Sequence, residues 1–186
     1  MPVKPLRFVI AGGPGSGKST LLAALAQAGE HCYEEVSRQL IREQIACGGK
    51  LLPWSNLAGF ASACGSRMRA LLADSIQHPR VFFDRGLPDL IGYLRYGGLQ
   101  PPQDLLDAAA LYTPLVFLAP PWENIYANDP ERPQSYQESV ELSRQIRLAY
   151  LECGFRIIEL IKSSVHDRLN QVLAHVNLHI ADPESP

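Results

Sequence analysis

Residues 12–20 read Gly-Gly-Pro-Gly-Ser-Gly-Lys-Ser-Thr, and the spacing Gly12-x4-Gly17-Lys18-Ser19 is that of a loop able to hold polyphosphate. Glycines permit the turns that point successive N–H groups inward, and a helix starting just beyond offers its positive end to an anion. The pattern assigns Gly13, Pro14, Gly15, Ser16, Gly17, Lys18, Ser19 and Thr20 to binding of ATP with Mg²⁺. Lys18 would reach the β- and γ-phosphates, and the Ser19 hydroxyl would be a metal ligand. A Gly-rich turn that binds nothing is the competing reading. Context argues against it, because the apolar run Leu6 to Ala11 precedes the loop and Leu21, Leu22, Leu25 and Ala28 follow it at helical spacing.

Two acidic sets sit where short apolar runs end. Val81-Phe82-Phe83 stops at Asp84-Arg85-Gly86. An Asp there can hold Mg²⁺ or take a proton from a substrate hydroxyl, and Arg85 can neutralise phosphate or substrate charge. The alternative is an Asp that caps a helix starting near Leu87. The second set, Glu34-Glu35-Val36-Ser37-Arg38, follows His31-Cys32-Tyr33. Side chains alternate along a strand, so only one of the two glutamates can face the site, as substrate anchor or general base. Arg38, one turn into the next helix, is its expected ion partner, unless it belongs to a wet face with Arg42 and Glu43.

These residues need a scaffold that brings strand ends together. Short apolar runs alternate with longer stretches of helical period, the mark of an α/β chain with a parallel sheet. Strands are expected near residues 6–11, 31–35, 80–83, 115–118 and 155–161. Leu57, Phe60, Ala61, Cys64, Met68, Leu71, Leu72 and Ser75 recur at steps of three and four, predicting a helix over 55–77 capped by Ser55. Val165, Leu169, Val172, Leu173 and Val176 predict a last helix capped by Ser163 or Ser164. Ligands of open parallel sheets bind beyond the carboxyl ends of the strands, where both acidic sets fall. Beyond both sets, residues 119–135 carry Pro120, Pro121, Pro130 and Pro133 with no period, so a long functional loop is expected.

The 186 residues, 46% hydrophobic, suffice for one core and one domain over 1–186. A net charge of −2 and the absence of a basic stripe argue against nucleic acid or an anionic membrane as partner and favour a small soluble ligand. No apolar run approaches a membrane span, and the phosphate loop lies too near the start for a signal peptide to precede it. Cys32, Cys47, Cys64 and Cys153 fit neither zinc-ligand nor redox-pair spacing, so free thiols and a cytoplasmic location are expected.

The motifs together resemble the kinase-like P-loop ATPases related to nicotinamide riboside kinases and to nucleoside or nucleotide kinases. The resemblance is carried by residues 12–20, by EEVSR at 34–38, by FFDRG at 82–86 and by the NDPER element within 120–139. It implies a three-layer P-loop NTPase fold with a five-stranded parallel sheet in the order 2-3-1-4-5. It also implies roles for Glu35, Asp84 and Arg85 at the acceptor and metal, and for Arg132 in a lid over the nucleotide phosphates.

The expected activity is therefore phosphoryl transfer from ATP to a small, nucleoside-like acceptor, with Lys18, Arg85 and Arg132 supplying positive charge, Ser19 and Asp84 the metal site, and Glu35, Arg38, Arg85 and Trp54 the acceptor side. The competing expectation is an ATPase or nucleotide switch that acts through a protein partner. No NKxD-like segment is present to read guanine. The discriminating feature is a second pocket beside the γ-phosphate position lined by Glu35, Arg38 and Asp84, which a kinase needs and a switch does not.

Overall fold

The computed structural model describes residues 5–127 and 134–182. Five parallel strands form one sheet, β1 (Leu6–Ala11), β2 (His31–Tyr33), β3 (Arg80–Asp84), β4 (Leu115–Leu118) and β5 (Arg156–Glu159), in the order β2-β3-β1-β4-β5. Central β1 pairs with β3 from Leu6↔Arg80 to Ile10↔Asp84, and with β4 from Val9↔Val116 to Ala11↔Leu118. Reversal of strand order at β1 leaves a crevice at the carboxyl edge, just where the phosphate loop emerges.

Alternation along the strands splits the core in two. Phe8, Ile10, Phe82, Leu115 and Phe117 face the layer made by α1 (Lys18–Gln27) and α7 (Val165–Ala181). Val9, Ala11, Val81, Phe83, Val116 and Leu118 face the opposite layer. That layer holds α2 (Val36–Cys47), α3 (Leu57–Asp74), α4 (Leu87–Tyr96), α5 (Gln103–Ala109) and α6 (Tyr136–Glu152). Helices on both faces explain why the strands read as continuous apolar runs. Helices α4 and α6 approach so closely that a Cβ on Gly92 would lie 2.8 Å from the Ile146 backbone.

Several boundaries differ from the sequence expectation. Helix α3 starts at Leu57 rather than Ser55, because Asn56 is the cap, its Oδ1 accepting from Gly59 N at 2.9 Å, while the Ser55 hydroxyl donates to Lys50 O. The helix ends at Asp74 and tightens into a 3-10 turn over Ser75–Gln77. Strand β2 stops at Tyr33, pairing with β3 alone, and Glu35 takes the N-cap position of α2. Strand β5 is shorter at both ends than 155–161. Ser164, not Ser163, caps α7, accepting from Asp167 N at 3.1 Å. The long loop contains a 3-10 turn over Glu123–Ile125 and closes on Ser135, which forms a capping box with Glu138 at the start of α6. Arg132 and the rest of the NDPER element lie outside the described residues.

Candidate functional site

The phosphate loop turns from β1 into α1 with Gly12, Gly15 and Gly17 at positive φ. Gly17, at φ 77°, is the N-cap residue, and a Cβ there would be strained and would lie 2.7 Å from Arg168 Nη1, so any larger residue would push that side chain away. The N–H groups of the first turn of α1 have no acceptor within the helix, which makes this turn an anion cradle. The sequence expectation has Lys18 reaching out to the β- and γ-phosphates. It is instead buried, with Nζ donating to Gly13 O at 2.6 Å and to Ser16 Oγ at 3.3 Å. Burial, reinforced by the positive charge of Arg85, lowers the Lys18 pKa to about 7. An anion in the loop would restore the charge.

Asp84 ends β3 facing the loop. Its Oδ2 accepts from the Ser19 hydroxyl at 3.1 Å, while its Oδ1 is buried with no hydrogen-bond partner among the described residues. Burial first, and the charge of Glu35 second, push its pKa up to about 6. A hydroxyl and a desolvated carboxylate with an unused oxygen, side by side at a phosphate loop, are the oxygen donors a Mg²⁺ ion takes when most of its shell is phosphate and water. The capping alternative for Asp84 is filled by another residue: Asp89 Oδ2 accepts from Gly86 N at 2.9 Å and so closes the start of α4.

Arg85 is the one non-glycine residue among those described with positive φ, at 70°. Such a backbone is strained for any residue that carries a Cβ and persists where surrounding contacts over-determine it. The contacts are present: Nε donates to Glu35 Oε1 at 2.7 Å, and Nη1 to Gly12 O at 2.9 Å and Asp89 Oδ1 at 3.4 Å. The guanidinium also lies 5.4 Å from the Tyr93 ring centroid. Arg85 thereby ties the ends of β1, β2 and β3 together. Of the two glutamates, Glu35 turns inward to Arg85 and accepts from Ser37 Oγ at 3.0 Å, while Glu34 is exposed.

Three openings meet along this edge. The phosphate-loop mouth, about 500 Å³, is lined by residues 15–20 with Trp122, Ile125, Ser164 and Arg168. An adjoining cleft of about 350 Å³ contains Ser19, Glu34, Glu35, Arg38 and Asp84. Beyond it lies a much narrower pocket with Glu35, Arg38, Arg85 and Asp89 at its polar end and Ile41, Phe60 and Tyr93 among its apolar walls. Ser19 and Arg38 are common to the first two openings, and Glu35 and Arg38 to the last two. Glu35, Arg38 and Asp84, the three residues named for an acceptor pocket, line one cleft next to the phosphate loop. Trp54 stands 49% exposed in a neighbouring groove with Pro53, Leu57 and Tyr93, next to the cavity rather than in its lining.

Sequence reasoning missed Asp89, Tyr150 and Arg168. The Tyr150 hydroxyl donates to Asp89 Oδ2 at 2.6 Å, so α6 braces the carboxylate that braces Arg85. Arg168 was detectable as a charge on the inward stripe of the last helix, beside Leu169 and Val172. Asp89 was detectable from its place three residues after Gly86, where an acid can return to the helix start.

The order of the sheet, the loop from its central strand and the acids at the neighbouring strand ends define a P-loop nucleotide-binding fold of the kinase type. A family model described as an AAA domain, AAA_28, matches residues 7–168, and the chain belongs to that family. No curated protein sequence matches significantly. Among solved structures, the chain resembles deoxyadenosine kinase from M. mycoides with bound dATP, at TM-score 0.63 and 12% identity over 92% of this chain and 100% of that one. It also resembles shikimate kinase from Acinetobacter baumannii in complex with shikimate, at TM-score 0.58 and 18% identity over 95% and 96%. NadR in complex with NR aligns at TM-score 0.64 and 15% identity, over 94% of this chain and 50% of the other. At these identities the likeness is one of fold.

Proposed function

We propose that the protein is a small-molecule kinase that transfers the γ-phosphoryl group of ATP to a hydroxyl of a nucleoside-like acceptor. The observation that carries this reading is the continuity of the three openings: a phosphate loop at one end, an apolar cavity with a polar floor at the other, and Asp84 and Glu35 at the junction. A slowly hydrolysing switch has no use for the far cavity. The bound proteins of the same fold include kinases for acceptors as different as a nucleoside and shikimate, which supports a hydroxyl acceptor without fixing its body. The flat apolar walls of Phe60 and Tyr93 favour a ring system there.

Lys18 leaves the Gly13 carbonyl for the β- and γ-phosphate oxygens, and the first-turn N–H groups of α1 hold the rest of the chain. Ser19 and Asp84 would hold Mg²⁺, which would neutralise charge on the phosphates. Glu35, kept in place by Arg85 and Ser37, accepts the proton of the acceptor hydroxyl as its oxygen bonds to the γ-phosphorus and the bond to the ADP oxygen breaks. Arg85, committed to Glu35, Gly12 and Asp89, orients the base instead of reaching the phosphates itself. Arg38, at the meeting point of all three openings, is the cation placed to follow the transferred phosphoryl group.

Glu35→Gln tests this assignment. It keeps the shape and an acceptor for Arg85 but removes the base, so acceptor-dependent transfer should fall by about 10²–10⁴ while ATP affinity stays within a few-fold. Full transfer by the variant would reject Glu35 as base.

A further inference from the structure

Arg168 lies on the first turns of α7, and its side chain crosses to the phosphate loop. It is 3% exposed. Nη2 donates to Ser16 O at 3.2 Å and Nη1 more weakly to Gly17 O at 3.5 Å, while Nε has no hydrogen-bond partner among the described residues. No carboxylate among the described residues pairs with it, and burial alone lowers its pKa. A buried guanidinium without a counter-ion is costly, and such groups in native proteins are paired or await a ligand. Within the fold the one large anion implied nearby is the polyphosphate in the loop that Arg168 touches.

The geometry fixes how the two communicate. In a trans peptide the C=O and N–H bonds point in opposite directions. The Ser16 carbonyl shares its peptide with the Gly17 N–H, and the Gly17 carbonyl shares its peptide with the Lys18 N–H. A guanidinium that draws on both carbonyls therefore sits behind the two peptides, orients them and increases the polarity of the two N–H groups on the far side. The Gly17 carbonyl also accepts the first bond of α1, from Leu21 N at 3.3 Å, so the same contact fixes the start of that helix. Gly17 is the residue that lets Arg168 approach, since a Cβ would collide with Nη1.

We infer that Arg168 is a positioning residue for nucleotide binding: it braces the Ser16–Lys18 peptides from behind, and the polyphosphate of the nucleotide is its missing counter-ion. The inference rests on the nucleotide-binding reading of the loop. It assigns α7 a task beyond covering the sheet, because the same helix start, through Ser164 and Val165, lines the mouth in which the rest of the nucleotide would lie.

The test is titration calorimetry of full-length protein with ATP and with inorganic tripolyphosphate, both with Mg²⁺, at a temperature where thermal melts show parent and variants folded. Arg168→Gln should weaken both ligands by a similar factor, about tenfold or more, because the effect acts on the phosphate chain. Loss for ATP alone would overturn the inference in favour of a contact to base or ribose. A lower melting temperature with unchanged affinities would reduce Arg168 to a structural bolt. A parent that binds ATP but not tripolyphosphate would overturn it too, whereas a parent that binds neither would reject the nucleotide site itself. Should Arg168→Gln fail to fold, Arg168→Lys carries the test: an ammonium keeps the charge but spans the two carbonyls poorly, so about threefold loss for both ligands is expected and no loss refutes the bracing.

Discussion

Asp84→Asn separates function from architecture because the two accounts give opposite signs for stability. At pH 7 the Asp84 carboxylate is ionised in the unfolded chain at no cost, whereas in the folded protein burial and the nearby Glu35 push its pKa up to about 6 from 3.8. A shift of that size corresponds to roughly 3 kcal/mol of destabilisation of the folded state. Lys18, which Asp84 helps to keep charged, takes back part of it when the carboxylate is removed. Asparagine retains an acceptor for the Ser19 hydroxyl, so a net gain of about 1–2 kcal/mol is expected, seen as a melting temperature raised by about 2–8 °C without nucleotide. Phosphoryl transfer should fall by about 10²–10³, because the missing charge belongs to the metal site as the transition state forms. Calorimetric melts and steady-state turnover on the same samples suffice. A variant less stable than the parent with unimpaired turnover would show that Asp84 is architectural and refute the reasoning.

Lys18→Met should lower ATP affinity by about 10–100-fold, as loss of one charge-assisted phosphate contact predicts, and calorimetric titration reads it directly. Its melting temperature without nucleotide should rise, because burial that lowers the Lys18 pKa from 10.5 to about 7 makes the charged side chain costly to fold, and the lost 2.6 Å bond to the Gly13 carbonyl offsets that in part. Gly92→Ala pushes a methyl into the Ile146 backbone at 2.8 Å and should cost about 1–3 kcal/mol in denaturant unfolding, with unchanged affinities at saturating stability. His31 stacks on His78 with ring centroids 3.6 Å apart, and burial, then the His78 charge, lowers its pKa below 6.5. The unfolded chain then binds more protons in the window just below 6.5, so stability rises with pH through that window. His31→Asn should flatten the dependence of melting temperature between about pH 5 and 7 relative to the parent.

Legibility followed physical range. The phosphate loop, the α/β alternation and the strand-end acids are local patterns, so the sequence placed Lys18, Ser19 and Asp84 on one edge. The order 2-3-1-4-5 came with the resemblance and holds. Helix α6 escaped because its buried face includes Ser139 and Ser143, which break the apolar period while packing at the site. Asn56 displaced Ser55 as a cap by a one-residue difference that composition does not resolve. The burial of Lys18 and the link from Arg85 to Asp89 and Tyr150 depend on three elements meeting, and no spacing along the chain encodes that. Arg168 lies more than a hundred residues from the loop it touches.

The most direct measurement is the fate of the label from γ-³²P-ATP with Mg²⁺ in the presence of nucleosides, nicotinamide riboside and other small hydroxyl compounds. Products would be separated by chromatography and ADP quantified in parallel. The account predicts that at least one acceptor both accelerates ADP formation and carries the label in an acid-stable phosphate ester. Release of all label as inorganic phosphate, at a rate that no acceptor changes, would contradict it.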